Sequence, residues 1–178
     1  MAKSRMALTC IAASALLLAF AAPAAAQEAE PIPIEGTVVG EHWIDETAPA
    51  CDAGTAWRFS SAGAGQLSGI GEVDYFLTHC TVFDAESGGA DSTYDDTTTM
   101  FTTADGDTLA VVHQFGSSEV FVDEAGEFTG FTLEGTWEAV GGTGRFTHAT
   151  GNGSIDGAAD IPGDIVFDVA GEVTYDAP

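Results

Sequence analysis

From residue 34 to the C-terminus the chain alternates apolar and polar positions in short runs, and the period is two throughout. Ile34, Val38, His42 and Ile44 share one parity, Trp57 and Phe59 a second, and Val73, Tyr75, Leu77, His79 and Phe83 a third. Leu109, Val111, His113 and Phe115 follow, then Phe131, Leu133, Trp137 and Ala139. Ile165, Phe167, Val169, Val173 and Tyr175 close the chain. A period of two is the signature of strands with one buried face. Asp105-Gly106, Glu124-Ala125-Gly126 and Pro162-Gly163 punctuate the runs as turns. No long helical periodicity intervenes, so the strands must connect mostly antiparallel. The pattern predicts an all-β domain, an antiparallel β-barrel of about eight strands, with a β-sandwich as the alternative. The barrel is preferred because closure removes the sheet edges that glycine-rich strands would offer for aggregation.

The N-terminus departs from this pattern. Lys3 and Arg5 precede an apolar run over residues 8–22, and Ala24-Ala25-Ala26 provides small residues for cleavage before Gln27. This predicts a signal peptide at 1–26, a short extended tail at 27–33, one barrel domain at 34–178, and a secreted or periplasmic location. The apolar run is too short for a membrane span, so no stable membrane insertion is expected.

Charge narrows the partners. The chain carries 28 acidic residues against 4 lysines and arginines, a formal charge of −24. Beyond residue 26 the only cations are Arg58 and Arg145. Such a field repels nucleic acid and anionic membranes. A small apolar ligand and a second copy of the chain remain as partners. Once Cys10 is removed, Cys51 and Cys80 form an even pair. In an oxidising compartment they are expected to bond and to contribute about 3–4 kcal/mol of stability. Cys80 has the opposite parity to Tyr75, Leu77 and His79, which places its sulfur outside the barrel.

Few residues carry recognisable chemistry. All four histidines, His42, His79, His113 and His148, fall in step with apolar neighbours. An inward histidine can bind a ligand, move a proton or hold a metal, or simply cap the core. No histidine spacing matches a metal motif, and neither Asp105-Gly106-Asp107 nor the acidic group at residues 91–96 fits a calcium loop. No metal or cofactor is therefore expected. Weak catalytic candidates are His79, His113 and Tyr75. Arg145 is expected to pin a turn by an ion pair, and Arg58 to lie on the outer face. The polar segment 84–96 is the longest loop.

Three turns resemble a known family. Gly141-Gly142-Thr143-Gly144-Arg145-Phe146 resembles the Gly-Gly-Thr-Gly-Arg/Lys-Phe hairpin of the allene oxide cyclase and dirigent barrels and of many secreted bacterial proteins of unknown function. There Gly141, Gly142 and Gly144 would permit a tight reversal. Residues 102–109, Thr-Thr-Ala-Asp-Gly-Asp-Thr-Leu, are similar to that family's Thr-Ala-Ala/Asn-Gly-Asp-Thr-Leu turn. Residues 68–73, Ser-Gly-Ile-Gly-Glu-Val, are similar to its Ser-His-Leu-Gly-Lys/Arg-Val stretch, with Gly69 in place of histidine and Glu72 in place of the basic residue. The resemblance spans Ile34 to Tyr175. It implies a barrel whose interior holds an apolar ligand, and it transfers no catalytic residue.

Three functions remain open. The first is binding of a small, mostly apolar molecule by the inward set Trp57, Tyr75, Phe115, Phe131, Trp137 and Phe167. The second is an isomerase, cyclase or dirigent-like enzyme acting on a reactive apolar substrate. The third is an acidic structural or cation-associating envelope protein. Thiol titration of the denatured, unreduced chain lacking residues 1–26 is expected to detect no free thiol, and a full complement from Cys51 and Cys80 would refute their pairing.

Overall fold

The computed structural model describes residues 30–47, 57–81, 98–160 and 163–175; within the strands it leaves out the side chains of Trp57, Thr81, residues 115–118 and Phe128. The expected signal peptide, Cys51 and the acidic segment 84–96 lie outside the described residues. Eight strands follow in order: β1 Ile32–Ile44, β2 Trp57–Leu67, β3 Gly71–Thr81, β4 Thr98–Thr103, β5 Thr108–Val122, β6 Phe128–Gly142, β7 Thr150–Asp160 and β8 Gly163–Thr174. Each pairs antiparallel with its neighbours, and β1 pairs with β8, so the sheet closes into a barrel. The barrel reading of the alternation is correct. β1 begins at Ile32, two residues inside the expected tail, because Ile32 pairs with Val173 of β8 and packs against the core.

Alternation sorts the wall as the sequence pattern predicts. Ile34, Val38, Val73, Tyr75, Leu77, Leu109, Val111, Leu133, Trp137, Phe167 and Val173 are buried inside. The outward positions are largely polar, with Glu35, Glu41, Asp74, Glu134, Glu138, Asp156, Asp168 and Glu172 all exposed. An apolar interior and an acidic exterior are the reverse of a lipid-facing barrel. Several outward carboxylates stand directly opposite one another: Glu134 faces Asp156, Asp156 faces Asp168, and Glu41 faces Asp164. Like charges so placed oppose pairing, and the core must offset them.

The interior is filled by setting large rings against glycines. A Cβ at Gly153 or Gly171 would lie 2.6 Å from the Trp137 ring, and one at Gly157 would lie 2.6 Å from the Phe167 ring. Gly40 likewise leaves room for the Tyr75 hydroxyl, at 2.6 Å from where its Cβ would stand. Trp137 also donates its indole N–H to the Ser154 carbonyl at 3.0 Å. Trp137 and Phe167 are thus held as core side chains.

The two ends differ. At one, β2–β3, β4–β5 and β6–β7 are joined by short ordered turns. At the other, residues 45–56, 82–97, 123–127 and 161–162 link the strands. The Gly-Gly-Thr-Gly segment is not a tight hairpin. Thr143 pairs back onto Thr108, and Gly144–Phe146 forms a single 3-10 turn before β7. The link is longer than expected because it carries Phe146, fully buried, into the barrel mouth. His148 is exposed on this turn, so its parity with Phe146 does not bring it inside.

The ring-in-slot packing gives a direct test. All three nearest atoms to a Cβ at Gly157 belong to the side chains of Phe167 and Leu133, so Gly157→Ala is expected to cost about 1–3 kcal/mol by overpacking. Adding Phe167→Leu should recover part of that loss, making the double variant more stable than the sum of the single changes predicts. Additive losses in urea denaturation would contradict the packing described.

Candidate functional site

The three turns that carry the family resemblance converge at the short-turn end. The backbone N–H of Arg145 donates to Asp107 Oδ2 at 3.3 Å, and its guanidinium stands 4.0 Å from the same carboxylate. Arg145 Nη2 donates to the Ile70 carbonyl at 3.0 Å, and the guanidinium lies over the Phe146 and Tyr175 rings. Tyr175 in turn donates its hydroxyl to the Gly69 carbonyl at 2.9 Å. Residues 68–73, 102–109 and 141–146 therefore form one closure, with Arg145 as its centre. This is the turn-pinning role expected of Arg145, and it leaves that end sealed.

The long-loop end is chemically different. His42, Ser61, His79, Thr99 and His113 are all buried there among Phe59, Leu77 and Phe131. His42 comes from β1, Phe59 and Ser61 from β2, His79 from β3, Thr99 from β4 and His113 from β5. Cross-strand register sets His42 beside Ser61 and Phe59 beside His79. The His42 ring stacks on Phe59 at 5.0 Å and on His79 at 5.6 Å, and it meets Phe131 edge-on at 5.3 Å. His42 Nδ1 and Ser61 Oγ are hydrogen-bonded at 2.6 Å, as are His113 Nε2 and Thr99 Oγ1. One inward step along β1 from His42, the Tyr75 hydroxyl rests against Gly40.

Burial dominates the electrostatics of this layer. It lowers His42 and His113 to about 4. His79 falls to about 3, through burial first and then repulsion from His42, His113 and Arg58. Burial pushes the Tyr75 hydroxyl up to about 12. At neutral pH all four are uncharged hydrogen-bonding groups. Two of their atoms, His42 Nε2 and Tyr75 Oη, are buried with no hydrogen-bond partner among the described residues.

This geometry limits the chemistry. The His42 and His79 rings face each other rather than pointing nitrogens at a shared point, and among the described residues no three His, Cys, Asp or Glu side chains converge for a metal ion. The Ser61–His42 contact has the spacing of a nucleophile and base. A ring held near 4, however, is a feeble base at pH 7, where proton transfer favours a pKa close to ambient. The hydroxyls of Ser61 and Thr99 instead satisfy one nitrogen of each ring.

Of the residues singled out from sequence, Tyr75, His79, His113 and Phe131 do meet in the interior, while Trp137 and Phe167 are committed to glycine slots. The side chains of Trp57 and Phe115 lie outside the described residues. Alternation alone gave no sign of the Ser61 and Thr99 partners, which only cross-strand register reveals. Cys80 is buried although it has outward parity, and Ser60 is fully buried on the same face, where it donates to Asp45 Oδ2 at 2.8 Å. Two grooves, of about 570 and 510 Å³, lie on the outer wall, one lined by Glu138, Asn152 and Glu172 and the other by Gln66, Glu72 and Asp74. Compared with family models, with curated proteins and with solved structures, the chain matches none of them.

The depressed histidines predict a pH dependence. A ring whose folded pKa lies below its unfolded value of about 6.5 binds fewer protons when folded. Its contribution is therefore complete above pH 6.5 and drains away as pH falls toward 4. Each ring contributes on the order of 3 kcal/mol to this loss. His79→Gln should flatten the decline in urea midpoint between pH 6.5 and 4, relative to the unsubstituted protein. An unchanged slope would show that His79 ionises freely in the folded state.

Proposed function

We propose that this barrel binds a small, mostly apolar molecule in its interior at the long-loop end, oriented by His42 and Tyr75. The observation that carries this is the pair of buried polar atoms, His42 Nε2 and Tyr75 Oη, that the Ser61 and Thr99 hydroxyls of the same layer do not satisfy. A buried polar group without a partner costs about 1–3 kcal/mol. A site that is largely apolar with a few placed polar groups is the usual form of a small-molecule pocket. The family resemblance supports the same reading, since both named families hold an apolar ligand inside the barrel. The neutral, strongly shifted side chains favour binding over an isomerase or cyclase, which would need a group that exchanges protons near ambient pH.

Export and a Cys51–Cys80 bond belong to the same proposal. The leader-like N-terminus and the pair of cysteines beyond it support them, and the burial of Cys80 on the outward parity fits a segment clamped against the outside of the wall.

Titration with N-phenyl-1-naphthylamine, an uncharged probe that brightens in apolar surroundings, is expected to give saturable binding near one site per chain. His42→Leu should weaken it, and Glu138→Gln on the outer wall should not. A linear, non-saturating signal would overturn the binding reading. Tyr75→Phe adds a second test. It removes the unpartnered hydroxyl, so it should stabilise the unliganded barrel by about 1 kcal/mol or more, as is common when a functional polar group is deleted. A loss of stability would mean that the hydroxyl is already satisfied.

A further inference from the structure

We infer that the molecule held by this barrel is electrically neutral and carries an oxygen function such as a hydroxyl, ether or carbonyl, and that acids and amines of the same skeleton are rejected. The inference rests on the binding reading above and specifies its ligand.

It follows first from what faces inward. Among the described residues the buried polar side chains are His42, Ser61, His79, Thr99, Thr103 and His113 on the inward face and Ser60 on the outward one; no aspartate, glutamate, lysine or arginine is among them. Every carboxylate on the strands stands on the outward parity. Arg145 is committed at the far end to Asp107 and the Ile70 carbonyl. Arg58 has outward parity between Trp57 and Phe59, although its charge is felt at His79 through the wall. An ionised ligand would therefore leave water for an interior whose described side chains offer no counter-charge, and a buried charge is tolerated only when paired.

The exterior acts in the same direction for anions. With a formal charge of −24 on the chain, and carboxylates ranked across β6, β7 and β8, the approaching field repels a carboxylate or phosphate. It attracts an amine to the surface, but among the described residues the interior offers that amine no carboxylate. The histidines do not rescue an anion, because the low pKa values of His42, His79 and His113 keep them neutral at pH 7.

What the interior does supply is hydrogen-bonding capacity without charge. Tyr75 Oη, reaching over from β3, lies against Gly40, the inward position of β1 next to His42. The phenol both donates and accepts, and His42 Nε2, with Nδ1 bonded to Ser61, does one or the other according to its tautomer. An oxygen function on a neutral skeleton satisfies such atoms at little desolvation cost, whereas a bare hydrocarbon would leave them unpartnered.

The test uses one skeleton in several states. Displacement of bound N-phenyl-1-naphthylamine at pH 7.5 is measured with 1-decanol, decanoate, decylamine and decane, at 0.05 M and at 1 M sodium chloride. Decanol is expected to displace the probe at a concentration at least ten-fold below that needed for decanoate or decylamine, and below decane, at both salt concentrations. Decanoate or decylamine matching decanol would overturn the inference, as would decane doing so. A decanoate deficit that vanishes at 1 M salt would also overturn it, because screening relieves the surface field but not the interior desolvation. If the probe itself fails to bind, it is the binding reading that falls.

Discussion

A closed barrel of eight strands encloses little more than the width of its own side chains, and that limit governs everything else in this molecule. Several large rings lie over glycines of the strands beside them. Trp137 occupies the space above Gly153 and Gly171, Phe167 that above Gly157, and Tyr75 that above Gly40. Gly40, Gly153, Gly157 and Gly171 are therefore complements of the aromatics, placed where a methyl group would collide. Their weakness as strand formers is offset by closure, which gives every strand a partner on both sides.

The same limit divides the molecule into two chemically distinct halves. At the short-turn end the mouth is plugged by Phe146 and Tyr175 and locked by Arg145. At the long-loop end the filling changes from aliphatic to imidazole and hydroxyl. An apolar plug is stabilising by itself, whereas buried imidazoles carry a desolvation penalty that shows in their lowered pKa values. Three histidines and a phenol in the core carry that penalty at this end alone. That contrast is why the binding reading is built on one end and not the other.

The architecture was legible in the chain because alternation encodes which face of a strand is buried. Val73, Tyr75, Leu77 and His79 point inward as their spacing requires, and Cys80 between His79 and Thr81 has the opposite parity. The site was only half legible. Tyr75, His79 and His113 stood out as polar residues in inward phase, but His42 stood out no more than His148, which is exposed. What separates them is cross-strand register: His42 falls beside Ser61 and against Phe59, while His148 sits on a turn that no alternation governs. The three family-like turns drew the eye for a related reason. They are far apart in sequence and each looks like simple turn chemistry, yet Asp107, Arg145 and the Ile70 carbonyl need one another, which a linear string does not reveal.

The seam between β1 and β8 has a consequence for how the protein comes into being. Thr37 on the first strand donates its hydroxyl to Asp168 on the last, and the pairing runs from Ile32 with Val173 to His42 with Gly163. The first strand made by the ribosome therefore waits for the last before its outer edge is covered. Until then the nascent chain is an open, curling sheet with two bare edges, and closing it requires the longest loop the chain contains. Vectorial synthesis thus cannot deliver this barrel piece by piece; the ring is completed in one late step, and a chain stopped short of β8 has no seam to close.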